Sequence, residues 1–196
     1  MKKVCLLLAN GFEAVEASVF TDVIGWNLYE GDRSTELVTV GTRDTLKCTW
    51  NFIVTPEMHI RDLDVNEFDA LAIAGGFEEA GFYEDCYSNE FLDVIRDFNR
   101  QGKIIASICV AALPIAKSGV LIGRNATTYH LDEGKFQNEL ALYGANVVPD
   151  KAIVIDKNII TSYSPSTAFD VAFILLEMLT SKDNTDQVKR LMGFLK

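Results

Sequence analysis

Short apolar runs alternate with segments of helical periodicity along most of the chain. The runs are rich in β-branched residues and end at polar or glycine residues, which is typical of buried strands. They read "KKVCLLLA", "STELVTVG", "FDALAIAGG" and "KIIASI". Apolar residues at helical spacing form segments such as "SNEFLDVIRDFNRQG" and "SPSTAFDVAFILLEMLT". Buried strands that alternate with helices predict a mostly parallel sheet with helices on both faces, which is a doubly wound α/β fold.

Individual residues predict where several elements begin and end. Asn10 and Glu13 have the spacing of a capping box, so a helix is predicted from there to about Tyr29. Ser88 is a candidate cap for a helix that ends before Gly102. The segment "TLKCTWNFIVTP" is interpreted as a hairpin arm or edge strand, and "KAIVIDKNIITSY" as two short strands about a turn. A final amphipathic helix is expected at about residues 185–194.

The composition is that of an ordinary globular protein. Of 196 residues, 48% are apolar and 23% charged, and no repeat or linker interrupts them, so one domain spanning residues 1–196 is expected. No apolar run approaches the ~20 residues that cross a bilayer. The apolar stretch at residues 4–9 is too short for a secretory signal. We therefore expect a cytoplasmic protein with no membrane partner.

Charge and cysteine usage argue against two further classes. The formal net charge of −10, without a Lys/Arg cluster, argues against a nucleic-acid partner. No CxxC pair and only two histidines are present, so a zinc site of usual spacing is not expected. Neither a metal nor another cofactor is predicted, and disulfides are not expected in a reducing compartment. Each of the cysteines is then a packing residue or, in one or two cases, a reactive group; they are Cys5, Cys48, Cys86 and Cys109.

Cys109 lies where the strand "KIIASI" passes into the helix "AALPIAKSG". Ser107 and Ala111 place small side chains two residues to either side, which is the pattern of a nucleophile elbow. The same pattern fits a small buried hydrophobe, because buried cysteines are common. Ligands of parallel sheets bind beyond the carboxyl ends of the strands, and residues 9–11, Gly75-Gly76 and Cys109 all stand at such ends. This favours a reactive Cys109, with the strained backbone angles of an elbow residue.

Glu16 is a candidate partner for that thiol. It begins a partly apolar helical stripe with Phe20 and Val23. Burial there would raise its pKa, so that a protonated Glu16 could donate a hydrogen bond to a thiolate. The alternative is a solvated first-turn carboxylate that favours the helix dipole, an interpretation that suits Glu13 well. The helix N-terminus is expected to lower the pKa of Cys109.

Backbone donors and a base complete the candidate set. Gly75-Gly76 is either a simple strand-end turn or the source of an N–H that, with that of Val110, faces a developing oxyanion. A cysteine nucleophile usually needs a base, and His130 is the better candidate of the two histidines. A purely structural His130 stays open. His59 lies in a predicted loop and is expected to face solvent.

Five motifs in matching order resemble the ThiJ/PfpI family, in the branch of the Parkinsonism-associated deglycase. They are "LLLANGFEAVEASVFTDVI", "FDALAIAGG", "ASICVAALPIAKSG", "ATTYHLDEGKF" and "IITSYSPSTAFDVAFILLEML", and the likeness covers about residues 2–179. The resemblance implies a flavodoxin-like three-layer α/β/α sandwich, related to class I glutamine amidotransferase domains and usually a homodimer. It also implies that Cys109 is the reactive elbow cysteine, Glu16 its protonated partner, and Gly76 and Val110 the oxyanion-type N–H donors.

Three positions depart from the family pattern. Val110 and Ala111 follow the cysteine, where the family often has Ala or His and then Gly, and a Val after the cysteine argues against the proteolytic branch. The nearby His of the deglycase branch aligns with Tyr129, while His130 falls where that branch has Pro, so either ring could approach Cys109. Trp50 aligns with an Arg of that branch, and the anion-binding role of that Arg is not carried over.

Two functions of different class are predicted. The first is a cysteine-dependent enzyme of glyoxalase III or deglycase type, acting on small reactive carbonyls such as methylglyoxal in stress protection. The second is a non-catalytic redox sensor or oxidative-stress chaperone, in which an oxidant modifies Cys109. A protease or amidotransferase is less favoured, for want of a securely placed base. A homodimer is expected, with Trp26 and Trp50 on the outer side of the sheet as candidate interface residues.

Overall fold

The structure is a computed structural model that describes residues 1–195. Within that range the chain alternates between strands and helices, with short 3-10 turns between them. The strands are β1 (Lys2–Leu8), β2 (Thr35–Gly41), β3 (Leu46–Lys47), β4 (Ile53–Val54), β5 (Met58–His59), β6 (Ala70–Ile73), β7 (Ile104–Ser107), β8 (Asn125–Ala126), β9 (Asn146–Val147), β10 (Ile153–Asp156) and β11 (Ile159–Ser162). The α-helices are α1 (Ala14–Glu30), α2 (Phe82–Cys86), α3 (Asn89–Arg100), α4 (Ala112–Lys117), α5 (Lys135–Leu142), α6 (Ala168–Leu179) and α7 (Lys182–Leu191).

A seven-stranded sheet forms the centre of the fold, in the order β10-β11-β7-β6-β1-β2-β5. Neighbouring strands from β11 to β5 run parallel, and only β10 pairs antiparallel, as the outer arm of a hairpin with β11. Every residue of β6 is buried, and β7 and β1 are buried along most of their length. Continuous burial explains why these strands are apolar without alternation, since both faces of the sheet are covered.

Two groups of helices cover the sheet. Helices α1, α6 and α7 contact one another, and α3, α4 and α5 form a second contacting series. Both α6 and α3 contact β7, the strand that precedes Cys109. This confirms the doubly wound, three-layer α/β/α sandwich of flavodoxin-like type. The parallel order also brings the carboxyl ends of β1, β6 and β7 to one edge, which positions the candidate site.

Several predicted element ends are confirmed. Ser88 caps α3, because its Oγ accepts a hydrogen bond of 3.3 Å from the Phe91 N–H, and Gly102 follows the helix at φ 67°. The segment "TLKCTWNFIVTP" forms the antiparallel pair β3–β4, a hairpin outside the main sheet. The two strands about the Lys-Asn turn are β10 and β11, with Lys157 in the left-handed region at φ 57°.

The capping box predicted for Asn10 is wrong. Helix α1 begins at Ala14, and Glu13 is its N-cap without a capping side-chain hydrogen bond. The Asn10 amide is used elsewhere: Oδ1 accepts from the Lys47 N–H at 2.9 Å, and Nδ2 donates to the Ala80 carbonyl at 3.3 Å. Asn10 therefore ties together three loops at the carboxyl edge of the sheet, and these tertiary bonds replace the local cap.

Two further expectations need correction, and helix α5 was missed. The last helix begins earlier than predicted, at Lys182, because the Oγ of Ser181 accepts from the Asn184 N–H and caps it. His59 lies in the edge strand β5 rather than a solvent-facing loop, is only partly exposed, and accepts a hydrogen bond from the Arg61 N–H at 3.2 Å. Helix α5 was not predicted, because Leu140 is its only buried residue and its apolar pattern is weak.

Candidate active site

Cys109 sits on a sharp turn between β7 and α4. Its backbone is in the left-handed region at φ 57°, and a single 3-10 turn, Cys109–Ala111, leads into the helix. Ser107 and Ala111 are fully buried on either side, so larger side chains have no room there. The elbow predicted from the sequence is confirmed, including its strained backbone, since a non-glycine residue at positive φ costs about 1–3 kcal/mol.

A buried hydroxyl holds this turn from behind. Oγ1 of Thr128, which is fully buried, donates a hydrogen bond of 2.9 Å to the carbonyl of Cys109. Sequence reasoning missed Thr128, because the bond joins residues that are distant in the chain. A signal was nonetheless present, since Thr128 immediately precedes Tyr129 in the segment "TTYH".

Glu16 is fully buried in the first turns of α1. Its Oε2 accepts a hydrogen bond of 2.6 Å from the Gly75 N–H, whereas its Oε1 has no hydrogen-bond partner among residues 1–195. Burial raises its pKa from the usual 4.5 to about 8, and the charge of Glu13 adds to this. The Gly75 N–H and an interaction with the Cys109 thiol act in the opposite direction. The burial and the raised pKa expected for Glu16 are both present.

Gly75 brings the carboxyl and the thiol together. A Cβ at this position would lie 2.9 Å from Oε2 of Glu16 and 3.2 Å from Cβ of Cys109. Both contacts are shorter than ordinary van der Waals separations, so only glycine leaves room for the two side chains. Gly75 is thus more than a strand-end turn: it binds the carboxylate through its N–H and allows the close approach.

The pKa of Cys109 moves in the direction opposite to the sequence expectation. The thiol is buried, with 8% of the residue exposed, and burial is the main cause that raises its pKa. The ionised carboxylates of Glu16 and Glu13 raise it further, and only the Val110 N–H lowers it. Desolvation therefore outweighs the amide at the start of the helix. A thiolate forms readily only when Glu16 accepts or already holds a proton, because its charge then no longer opposes that of sulfur.

Two backbone N–H groups stand beside the thiol. The Val110 N–H interacts with the Cys109 sulfur, and the Gly76 N–H has no acceptor in the part of the chain that the structure describes. Gly76 packs tightly, because a Cβ there would lie 2.2 Å from the Gly11 carbonyl oxygen. Both Gly76 and Val110 line the same cleft as Cys109. The arrangement can offer one or two N–H donors to an oxygen bound near sulfur.

Tyr129, and not His130, lines the cleft with Cys109. The His130 ring instead stacks on Tyr163, with centroids 3.9 Å apart and planes inclined by 25°. Its Nδ1 is buried without a hydrogen-bond partner within residues 1–195. The structure thus brings Cys109, Glu16, Gly76, Val110 and Tyr129 together and leaves His130 aside as a stacking residue.

The cleft over Cys109 has a volume of about 410 Å³. Several of its walls were not predicted, because they come from the loop after β6 and from the start of α5, which carry no local motif. The lining residues that sequence reasoning did not place in the cleft are Glu13, Phe77, Glu78, Glu79, Tyr83, Asp132, Lys135, Phe136 and Pro165. The rule that ligands bind beyond the carboxyl ends of parallel strands locates these loops, but it does not say which of their side chains line the cleft.

Three properties of residues 1–195 bear on membrane spans, metal sites and disulfides. Among residues 1–195, no helix is long and apolar enough to cross a bilayer. The same residues include no cluster of three or more His, Cys, Asp and Glu side chains that could hold a metal ion. All four cysteines are free thiols. The structure thus defines an α/β protein with a cysteine elbow, a buried carboxyl partner and a cleft open to small molecules.

Comparison with known proteins gives the family. The model of the DJ-1/PfpI family matches residues 2–178, so the chain belongs to the DJ-1/PfpI family, which confirms the resemblance found in the motifs. Protein DJ-1alpha of Drosophila melanogaster is 31% identical over 195 residues, covering 97% of this chain and 83% of that protein. Protein dj-1beta of the same organism is 26% identical over 189 residues, covering 96% and 95%.

Solved structures agree with this membership. The crystal structure of Drosophila melanogaster DJ-1beta superposes with a TM-score of 0.84 at 26% identity, covering 97% of each chain. Schizosaccharomyces pombe DJ-1 has a TM-score of 0.80 at 21% identity, over 97% of this chain and 98% of that one, and shows a shared fold. The protein is therefore DJ-1-like in sequence and in architecture.

Proposed function

We propose that this protein is a cysteine-dependent enzyme acting on small reactive carbonyl compounds, of glyoxalase III or deglycase type. The observation that carries the proposal is the pair of Cys109, at φ 57° on its elbow, and the fully buried Glu16 with its pKa raised to about 8. A carboxyl with such a pKa can accept and return a proton near neutral pH. The adjoining cleft of about 410 Å³ suits a small substrate.

The chemistry follows from the positions of these groups. Sγ of Cys109 forms a bond to the aldehyde carbon of methylglyoxal, and the thiol proton passes to Glu16. The carbonyl π electrons move to oxygen, and the N–H groups of Gly76 and Val110 stabilise the oxyanion. Glu16 then returns the proton to give a hemithioacetal. A hydrogen shift to the neighbouring carbonyl carbon yields a thioester, and water releases lactate, so methylglyoxal and one water balance as lactate without an external oxidant.

Tyr129 and His130 have different roles in this proposal. Tyr129 lines the cleft and can contact a bound substrate. His130 stacks on Tyr163 and contributes to holding the segment that carries Tyr129. Glu16, rather than a histidine, is then the general base. The position of His130 also disfavours a protease or an amidotransferase, both of which use a histidine as the base that activates the thiol.

The second candidate is a redox sensor or oxidative-stress chaperone. The observation in its favour is the buried Oε1 of Glu16, which has no hydrogen-bond partner among residues 1–195. A protonated Oε1 could donate to an oxygen added to sulfur and stabilise an oxidised Cys109. Intact-mass measurement of stoichiometric peroxide uptake, with no methylglyoxal consumption, would favour this candidate.

The deciding experiment is methylglyoxal consumption with lactate detection. Wild type is compared with Cys109→Ser, which keeps the size of the side chain but lacks the thiol. Cys48→Ser is the matched control, because Cys48 accepts only a hydrogen bond from the Phe52 N–H and a serine can do the same. Turnover in wild type and Cys48→Ser, with none in Cys109→Ser, supports the proposal. Equal consumption in all three proteins removes the enzyme function.

We also propose a homodimer, in a reducing compartment such as the cytoplasm. A groove of about 660 Å³ runs between α1 and the β3–β4 hairpin, and its rim exposes Trp50, Phe52 and Ile53 by 60–73%. Trp26, 40% exposed, lies further along α1. Contiguous apolar surface of this kind often marks an interface. Light scattering at micromolar concentration should give about twice the 21.8 kDa chain mass, and a monomer mass contradicts the proposal.

A further inference from the structure

The cleft over Cys109 carries an excess of acidic side chains that have no partners. Four acidic residues line it against a single basic one, and these are Glu13, Glu78, Glu79 and Asp132, with Lys135. Within residues 1–195, none of the five side chains forms an ion pair or a side-chain hydrogen bond with another residue. Carboxylates elsewhere at this edge are paired, as Asp85 is with Arg43. The unpaired charge is thus concentrated over the thiol.

Aromatic rings complete the wall of the cleft. Phe77, Tyr83, Tyr129 and Phe136 all line it. The face of an aromatic ring attracts a cation, with ammonium groups favoured within about 6 Å of the ring centroid. Lys135 gives an example inside the cleft itself, because its Nζ lies 5.1 Å from the centroid of Phe136. The wall already stabilises one ammonium group, independently of the carboxylates.

We propose that the Cys109 cleft selects substrates by charge, taking small carbonyl compounds that bear a protonated amino group in preference to oxo acids that bear a carboxylate. The inference rests on the proposed function, because it names the substrate class of the same site. Glu78, Glu79 and Asp132 are the specificity-determining residues, and Lys135 opposes them. A divalent metal is a poorer occupant, because within the described chain no three of these carboxylates converge as ligands do.

The expected size of the effect follows from Coulomb's law. At a separation of about 8 Å in a water-like dielectric, one carboxylate changes the local concentration of a unit charge about twofold. A cation and an anion respond in opposite directions, so one carboxylate changes their ratio about fivefold. Added salt reduces this ratio, because the Debye length is about 10 Å at 0.1 M salt.

The test uses three thiol reagents that share one leaving group and carry a positive, a zero and a negative charge. They are 2-aminoethyl, methyl and 2-sulfonatoethyl methanethiosulfonate, which are cationic, neutral and anionic. In each case the Cys109 thiolate forms an S–S bond with the reagent and methanesulfinate leaves, so all three report on the same thiolate. The ratio of the cationic to the anionic rate at Cys109, followed by peptide mass spectrometry, therefore cancels changes in the fraction of thiolate.

Variants that remove a negative or a positive charge from the cleft are compared with a control variant at the opposite edge of the sheet. Glu79→Gln and Asp132→Asn should each lower the cation-to-anion ratio about fivefold. Asp132 lies at φ 61°, and asparagine tolerates that backbone conformation well. Lys135→Met should raise the ratio by a similar factor. Glu67→Gln is the control for overall charge, because the exposed Glu67 lies before the amino end of β6, at the opposite edge of the sheet.

Carbonyl compounds supply a second readout on the same protein. Aminoacetaldehyde should protect Cys109 from the neutral reagent at a lower concentration than glyoxylate does. The inference is overturned if the cation-to-anion rate ratio of wild type is near that of a free thiol. It is also overturned if Glu67→Gln changes this ratio as much as Glu79→Gln does. Methylglyoxal turnover with such a ratio leaves the proposed function standing without charge selection. A charge-dependent ratio without methylglyoxal turnover supports charge selection and contradicts the proposed enzyme function. If no reagent labels Cys109, both the charge selection and the enzyme function are overturned.

Discussion

The carboxyl of Glu16 raises the pKa of the Cys109 thiol, while the thiol lowers the pKa of the carboxyl. Both directions are those expected when the thiol donates a hydrogen bond to an ionised carboxylate. Within residues 1–195, Oε1 of Glu16 has no hydrogen-bond partner. Once the pair has lost its first proton, the remaining proton is held between two buried groups, and the apparent pKa values of such a pair belong to both. The first prediction follows from this relationship.

Alkylation of Cys109 should follow the titration of the pair. In wild type the rate with iodoacetamide should rise through about pH 8, where Glu16 becomes able to accept the thiol proton. Glu16→Gln keeps an acceptor for the Gly75 N–H but removes the carboxylate charge that raises the thiol pKa, so its curve should move to lower pH. The rate near neutral pH should rise about tenfold for each unit by which the thiol pKa falls. The curves should converge well above the thiol pKa.

The measurement is a pH–rate profile with the alkylated cysteine identified by peptide mass. Cys109 is expected to react first, because it is the most exposed of the four cysteines at 8%. Superimposable profiles for wild type and Glu16→Gln contradict the proposed link. Faster labelling of Cys48 or Cys86 in the intact fold contradicts it equally.

Glu16 should also make stability depend on pH. Its folded pKa of about 8 lies above the unfolded value of about 4.3, so its neutral form is stable in the fold and its charged form is not. The free energy of unfolding therefore does not depend on the titration of Glu16 below about pH 4.3, and it falls as the pH rises from there toward about 8. The full loss is on the order of 5 kcal/mol. Urea unfolding at several pH values should show this loss in wild type relative to Glu16→Gln, and a pH-independent difference contradicts it.

Much of the fold could be predicted from the sequence, because it depends on local and periodic signals. Apolar strands buried on both faces, Ser88 as a cap and the small residues around Cys109 all act through neighbours in the chain. The candidate site was predictable only in part. Gly75 and Glu16 could be selected, but the side chains of Phe77, Glu79 and Asp132 reach the cleft through loops whose shape depends on tertiary contacts.

Two of the wrong expectations, for Cys109 and Asn10, have clear physical causes. The pKa of Cys109 was expected to fall because an N–H group at a helix start favours an anion, but burial next to Glu16 costs more. Asn10 was assigned to a helix cap, although the loop bonds to Lys47 and Ala80 use its amide. Both errors arise where distant segments meet, since desolvation and tertiary hydrogen bonds leave no local pattern.

Gly75→Ala should disrupt the pair. The added methyl group would stand 2.9 Å from Oε2 of Glu16 and 3.2 Å from Cβ of Cys109, so one side chain must move. We expect a loss of about 1–3 kcal/mol in unfolding free energy and slower alkylation of Cys109. Gly25→Ala is the matched control, because it adds a methyl group in open space on α1 and should stabilise by about 0.5–1 kcal/mol. Equal effects of the two changes would remove the steric argument.

Asp85 should stabilise the fold through hydrogen bonds to the loops next to the site. Oδ2 accepts from the Asn10 N–H at 2.9 Å and from Thr42 at 2.6 Å, and Oδ1 accepts from Arg43 at 2.6 Å. Burial would raise its pKa, but these hydrogen bonds outweigh burial and lower it. Its contribution is therefore present above the unfolded pKa of about 3.9 and is lost as pH falls further. Asp85→Asn should cost about 1–3 kcal/mol near neutral pH.

The control for Asp85 is Asp93→Asn, which removes an exposed ion pair with Arg96. Exposed pairs of this kind contribute about 0.5 kcal/mol or less. Chemical unfolding near neutral pH and near pH 3 should show a difference between Asp85→Asn and wild type that shrinks in acid. A constant difference, or one no larger than that of Asp93→Asn, contradicts the role of Asp85.

Thr128→Val tests the bond that holds the elbow. The change keeps the shape of the side chain but removes the hydroxyl that donates to the Cys109 carbonyl at 2.9 Å. Leaving that carbonyl unpaired should cost about 1–3 kcal/mol, and the strained φ of 57° at Cys109 should relax. Alkylation of Cys109 should slow at every pH with an unchanged midpoint, because geometry changes and charge does not. Thr128→Ser keeps the hydroxyl and should keep both properties near those of wild type.

The adjacent Thr127→Val is the matched control, because Oγ1 of Thr127 is buried without a partner within residues 1–195, so its loss should be neutral or stabilising. Equal destabilisation by the two valine substitutions, or a shifted midpoint in Thr128→Val, contradicts this role for Thr128.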